Sequence, residues 1–238
     1  MRTGKRLSQI NAMITDNYQD IWDCCCDHGL LGIELLKRKA ASTIHFADIS
    51  APLIDKLELV LRQFFSSDDY LNLWQVHTID VAKIPVRAGT PCNHNKAKQS
   101  KAEQLIIIAG VGGDLLIELV QSICNKNPNT TLEFILCPVH HNYKVRTALI
   151  DLNCSLVNEC IVKENNRFYE IIHVTTSEYQ ESALPISSVG STMWNFDNNE
   201  HQQYFAQRVN HYSKMQKNTN IDAEKIIQAY KSLKYETK

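Results

Sequence analysis

The stretch Ile21-Trp22-Asp23-Cys24-Cys25-Cys26-Asp27-His28-Gly29-Leu30-Leu31-Gly32 decides how this chain reads. A short apolar run stops at a turn of small and acidic residues, and apolar residues then resume at helical spacing. That pattern predicts a first parallel strand delivering a ligand to the N-terminus of a helix. Asp27 is placed to cap the helix, and Gly29 to let the backbone approach a ligand closely. About 20 residues further on, the strand-like run Ser42-Thr43-Ile44-His45-Phe46-Ala47-Asp48 ends in a carboxylate, where doubly wound folds take a ribose hydroxyl pair.

Two nucleotide motifs are missing from the chain. G-x-G-x-x-G does not occur, nor does G-x-x-x-x-G-K followed by Ser or Thr. Asp23 and Asp27 would repel a pyrophosphate but suit a ligand carrying an amino group and a sulfonium, and S-adenosylmethionine (SAM) has both. A plain strand, turn and helix with a capping Asp is the competing reading of this turn.

Outward from the turn, Leu7, Ile10, Met13 and Ile14 predict a helix over Lys5 to Asn17, packed as a lid on the sheet edge. Helices are predicted from about Leu30 to Lys39 and onward from Pro52. A third strand, Leu71 to Ile79, ends at Asp80. Lys83 to Glu103 is polar and without period, and reads as a long loop. The apolar run Leu105–Ala109 leads into Gly110-Val111-Gly112-Gly113-Asp114, a bare backbone surface against which a ligand or a flat base could lie. A helix from Leu115, a strand to Cys137 and a helix from Asn142 follow. The last helix is led by His140-His141-Asn142-Tyr143. Strands over Ser155–Lys163 and Phe168–Thr175 then close a hairpin around Glu164-Asn165-Asn166-Arg167.

The order is β-α-β-α-β-loop-β-α-β-α-β-β. A closing hairpin on a doubly wound sheet predicts an α/β, Rossmann-like class I methyltransferase sheet over residues 1–178. Residues 179–238 read as a linker and two helices, near 199–217 and 221–236, able to pair as an antiparallel helical hairpin.

Among the 238 residues, 44% are hydrophobic and 21% charged, which suits one well-buried core with a small appendage. The net charge of −1 exerts no global pull on nucleic acid, so RNA contact would need local basic patches. No apolar segment follows the basic start Met1–Arg6, and no run approaches the ~20 apolar residues of a membrane span. A cytoplasmic protein is expected, with no membrane association and no obligate protein partner evident. Cys24, Cys25, Cys26 and Cys137 sit in apolar runs and read as buried thiols of a reducing compartment. Cys24, Cys26 and His28 alternate along a strand, a poor way to close a tetrahedral site, so no metal is expected.

Several pieces carry a family resemblance. They are Lys5-Arg6-Leu7, Asp23-x-x-x-Asp27-His28-Gly29-x-Leu31, Asp48, Asp80 and Ile108-Ala109-Gly110-Val111-Gly112-Gly113. Leu136-x-Pro138, Arg146 and Glu164-x-x-x-Phe168-Tyr169-Glu170-Ile171 follow, and then the C-terminal hairpin. Across nearly its whole length the chain resembles the bacterial tRNA (adenine(22)-N(1))-methyltransferase family. The family usually has glycine and serine where Cys25 and Cys26 stand, glutamate at Asp48, and proline at Ser191.

The resemblance implies SAM as cofactor and tRNA as partner, with the helical hairpin helping to hold the tRNA. Asp23, Asp27, His28 and Gly29 would line the methionine end, Asp48 would take the ribose hydroxyls, and Asp80 and Val81 would meet the adenine; Cys24 and Ile49 would also be cofactor-binding. Ala109, Gly110, Val111, Gly112 and Gly113 would form the floor where base and methyl group meet. Asp27, His28 and Tyr143 are the catalytic candidates, through charge stabilisation, stacking or proton relay. Phosphate contacts would come from Arg2, Lys5, Arg6, Lys96, Lys98, Lys101, Arg146, Arg208, Lys214 and Lys217. Methylation of another RNA or of a small molecule, and a non-enzymatic SAM- or RNA-binding role, remain open at this point.

Overall fold

The structure, a computed structural model, describes residues 3–87, 103–177, 184–215 and 222–236. In chain order its elements are α1 (Lys5–Met13), β1 (Tyr18–Cys24), α2 (Leu30–Lys37), β2 (Ala41–Asp48), α3 (Ala51–Phe64), β3 (Trp74–Thr78), β4 (Gln104–Ala109) and α4 (Gly113–Lys126). Then come β5 (Glu133–Cys137), α5 (Asn142–Asp151), β6 (Ser155–Glu164), β7 (Arg167–Thr175), β8 (Leu184–Pro185), α6 (Asn199–Met215) and α7 (Ala223–Glu236).

The strands form one sheet in the order β3-β2-β1-β4-β5-β7-β6-β8. The first five strands are parallel, and β7 is inserted antiparallel between β5 and β6. β1 and β4 are buried almost throughout, as central parallel strands covered on both faces must be. Alternate residues split between the faces. Trp22, Cys24, Ile106 and Ile108 pack under α4 and α5, whereas Ile21, Ile44, Phe46 and Leu105 pack under α2 and α3. α1 joins this second face through Ile10 and Met13, against β6 and α2, and so is part of the core instead of a lid at the sheet edge. The two-residue β8, paired antiparallel with β6, is too short to show a period in sequence.

A third apolar cluster centres on Trp194, Tyr204, Phe205 and Tyr230, where α6 meets α7, and takes in Tyr143, Ile161 and Phe168 from the sheet side. Beneath it lies a buried polar network. Arg146 is fully buried; its Nε donates to Glu170 Oε2 at 2.7 Å and its Nη1 lies 2.7 Å from Glu159 Oε2. Glu159 Oε1 accepts the backbone N–H groups of Ser191, Thr192 and Met193 at 2.6, 2.8 and 3.3 Å. Tyr204 donates to Glu170 Oε1 at 2.7 Å. Burial works against the charge on Arg146, yet the two carboxylates outweigh it and keep the guanidinium protonated. This corrects the expectation that Arg146 meets RNA phosphates: its charge is spent inside the molecule, tying residues 187–204 to the sheet.

A second buried chain crosses β1, β2 and β3. Asp20 Oδ1 lies 3.1 Å from His45 Nε2, and His45 Nδ1 lies 3.0 Å from His77 Nε2. Trp22 stacks on His45 at 4.1 Å, and Arg87 approaches Asp20 at 3.5 Å.

Candidate active site

Strand order reverses between β1 and β4, and the loops beyond the carboxyl ends of the strands converge there, as in other open α/β sheets. The loop after β1 is unusual. Cys25, Asp27 and Gly29 all have positive φ, at 56°, 49° and 64°. The left-handed region costs a non-glycine residue about 1–2 kcal/mol, so the surrounding contacts must impose it at the first two. Cys26 N donates to Ala47 O at 3.3 Å, Asp27 N to Asp48 Oδ2 at 3.3 Å and Gly29 N to Cys26 O at 2.7 Å. Asp48 Oδ1 accepts Ser50 N at 2.9 Å. One carboxylate thereby joins the loops after β1 and β2.

Asp27 does not cap α2. The turn swings its side chain outward to His28 Nδ1, 2.8 Å away, with both side chains mostly exposed. The cap comes from Asp23, whose Oδ2 accepts Gly32 N at 2.9 Å from inside the strand. Asp23 is only 5% exposed; burial pushes its carboxyl up to about 7, against the opposing effect of the Gly32 bond. Cys24 and Val81 are also buried in the core. Asp23, Cys24 and Val81, three of the expected cofactor residues, therefore have their side chains packed into the core beneath the loops. Cys25 and Cys26 are half-buried, and burial pushes the Cys25 thiol up to about 11, which leaves no thiolate nucleophile there.

At the strand ends stand two further carboxylates beside an aliphatic chain: Asp48, itself buried at 9% exposure, and Asp80, which is partly exposed. Asp48 is flanked by Ile49, which is 76% exposed. Asp80 Oδ1 accepts Ala82 N at 3.0 Å, while its Oδ2 faces Lys83 at 3.4 Å. Gly110 has φ 85°, and a Cβ there would stand 3.7 Å from the Arg6 guanidinium. Arg6 in turn lies over the Tyr169 ring at 4.9 Å, so it belongs to the floor of the site and not to a peripheral basic patch. Gly112 and Gly113 are not bare. A Cβ on Gly112 would come within 2.8 Å of the His140 ring, and one on Gly113 within 2.6 Å of the His140 carbonyl oxygen. These two glycines let the β5–α5 loop close down on the β4–α4 loop, a contact also made by Val139 N donating to Val111 O at 3.0 Å.

That closure places a cavity of about 860 Å³ beside the floor, among the start of α5, the β6–β7 turn and α6. Tyr143 and Arg208, far apart in sequence, both line it. Sequence reasoning missed Asp114, whose carboxylate is met by His141 Nδ1 at 2.9 Å and Lys144 Nζ at 2.6 Å. The Asp-then-His spacing of 27 residues carries no recognisable signal. Lys5 and Lys214 are exposed on α1 and α6. Arg2, Lys96, Lys98, Lys101 and Lys217 lie outside the described residues. Among the described residues no group of three or more His, Cys, Asp or Glu side chains is arranged to hold a metal ion, and no helix is long and apolar enough to cross a membrane.

A five-stranded parallel half-sheet closed by an antiparallel hairpin, with carboxylates at the ends of β2 and β3, defines a methyltransferase fold. The chain belongs to the methyltransferase-domain family, whose model matches residues 3–172. No curated protein matches it in sequence. Among solved structures it is similar to Mycoplasma capricolum TrmK bound to S-adenosyl-homocysteine, at 16% identity, 99% and 98% coverage of the two chains and a TM-score of 0.72. It is similar to the Bacillus subtilis m1A22 tRNA methyltransferase TrmK, at 18% identity, 98% coverage of both chains and a TM-score of 0.71. It is also similar to Streptococcus pneumoniae Sp1610 in complex with S-adenosyl-L-methionine, at 20% identity, 98% and 99% coverage and a TM-score of 0.66.

Proposed function

We propose that this protein transfers a methyl group from SAM to N1 of an adenine in tRNA, position 22 by analogy with the two TrmK enzymes. The observation that carries this reading is that the likeness to them extends over 98–99% of this chain, through the methyltransferase sheet and the C-terminal helices alike. The residues at the strand ends fit the cofactor. Asp48 suits a hydroxyl pair, Ile49 offers an apolar surface to an adenine, and Asp27 is an exposed carboxylate for an ammonium or sulfonium.

The cofactor supplies an electrophilic methyl group; the chain's task is placement. The adenine N1 lone pair is free only when the base is out of its pair and stack. Holding that base in line with the methyl group accounts for a large part of the rate. The methylated base is cationic, so Asp27 and the loop carbonyls near Gly110 stabilise the developing charge. His28, held by Asp27, orients that carboxylate. Tyr143 stands on the cavity side and stacks instead of moving a proton. Lys5, Arg208 and Lys214 supply phosphate contacts. Residues 1–178 form the catalytic unit and 179–238 the tRNA-holding unit, acting in the cytoplasm where tRNA is found.

The test is incubation with methyl-labelled SAM and total bacterial tRNA, followed by nucleoside analysis. Labelled 1-methyladenosine supports the reading. Label in another nucleoside keeps the class and discards the target. No label, with SAM bound, overturns the tRNA assignment.

A further inference from the structure

We propose that the cavity among α5, the β6–β7 turn and α6 holds an unstacked RNA base that flanks the methylated one, with its phosphate on Arg167 and Arg208. This rests on the reading of the chain as an RNA methyltransferase and names where the strand leaves the reacting base.

The first support is chemistry. The cavity is walled by rings, among them Tyr143, Phe168, Tyr169 and Tyr212. Tyr143 and Tyr212 face each other edge-on at 6.2 Å, and Phe168 lies 5.1 Å from Tyr204. Bases stack on such rings whatever their identity, because every base has a π face. A volume of about 860 Å³ accommodates a nucleotide with room for its backbone.

The second support is charge. Lys144, Arg167 and Arg208 line the cavity against a single lining carboxylate, Asp114, and Asp114 is already met by Lys144 and His141. The Arg208 guanidinium lies 5.4 Å above the Tyr204 ring. Its Nε is buried without a hydrogen-bond partner, and among the described residues no carboxylate pairs with it. Arg208 as a whole is only partly buried, so it is the charge of its guanidinium, and not the buried Nε, that a phosphate would meet.

The third support is place. The His140 ring lines the cavity and also covers Gly112 at the floor of the site. One residue thus separates the two, a spacing suited to adjacent nucleotides of one strand.

The test uses the full chain and a short single-stranded RNA carrying 2-aminopurine. Stacking quenches the probe. The expected result is quenching by the wild-type protein and an affinity at least tenfold weaker for Arg208→Gln and for Arg167→Gln. Arg167 is exposed, so its variant tests the idea even if Arg208→Gln fails to fold. In methyl transfer to tRNA, Arg167→Gln should raise KM about tenfold and leave kcat within twofold. Quenching and KM both unmoved by Arg167→Gln would overturn the cavity assignment while leaving methyl transfer standing. Quenching that depends on Arg167 in a protein that transfers no methyl would support the cavity and remove the proposed function. Adenosine monophosphate competing as well as the oligonucleotide would make this a free-nucleotide site and overturn the RNA assignment.

Discussion

Arg146 Nη1 lies 2.7 Å from Glu159 Oε2, with both side chains wholly out of solvent. The contact is one of charge and proximity, without an aligned hydrogen bond to that oxygen. Its partner bond, from Arg146 Nε to Glu170 at 2.7 Å, is aligned. Removing the guanidinium leaves two buried carboxylates uncompensated. Arg146→Met should therefore destabilise the protein by about 3–5 kcal/mol, read as a lower denaturation midpoint in guanidinium chloride. A loss below ~1 kcal/mol would show that the network does not anchor the C-terminal segment.

The same network sets an acid limit. Burial raises the Glu159 carboxyl, but Arg146 and the N–H groups of Ser191 and Met193 outweigh it and hold Glu159 below the usual carboxylate range. A depressed pKa contributes stability that is present above the unfolded value and lost as pH falls through the folded one. Stability should fall below about pH 4, and Glu159→Gln should flatten that fall. Parallel acid curves for the two proteins would contradict this.

Asp23 acts in the opposite direction. Its carboxyl is pushed up to about 7 in the fold, against about 4 when unfolded. Between those values the folded state keeps a proton that the unfolded chain has lost, so this group makes stability decline as pH rises from about 4 to 7. The decline is on the order of a few kcal/mol. Asp23→Asn keeps an acceptor for Gly32 N and removes the titration. Its stability relative to wild type should rise between pH 5 and pH 8 in urea denaturation. A constant difference across that range would show that Asp23 stays ionised.

The two glycines beneath His140 should behave differently. A methyl group at Gly113 meets the backbone oxygen of His140 at 2.6 Å, whereas one at Gly112 meets an exposed imidazole that can swing away. Gly113→Ala should cost about 1–3 kcal/mol, and Gly112→Ala less than about 1 kcal/mol. Thermal melting of the two variants separates them, and equal melting points would refute the packing argument.

Asp48 joins two loops at the end of β2, where the ribose is proposed to bind. Asp48→Ala should lower SAM affinity at least tenfold by calorimetry, the loss expected when one good hydrogen-bonding group to a ligand is removed. Unchanged affinity would exclude Asp48 from the cofactor site.

The central strands were legible because a parallel strand is covered on both faces, so β4 carries the unbroken apolar run Leu105–Ala109 and β1 sets Ile21 and Trp22 just before its turn. The β6–β7 turn was legible because Asn165 and Asn166 take positive φ, at 48° and 61°, a conformation that few residues other than Asn and Gly adopt easily. Asp48 and Asp80 were readable as strand-end carboxylates, since their place follows from where an apolar run stops. These are properties of neighbouring residues along the chain.

Other features depended on partners distant in sequence. An arginine on an amphipathic helix looks the same whether it faces solvent or two glutamates, so Arg146 passed for a surface charge. Asp23 and Asp27 are four residues apart, and only the left-handed turn decided which one caps α2 and which one faces outward. The cavity has no sequence signature at all, because Tyr143, Phe168 and Arg208 come together only when α6 docks on the β6–β7 hairpin. Local backbone preference and burial period determined the sheet; long-range packing decided which charged side chains were left to meet a ligand.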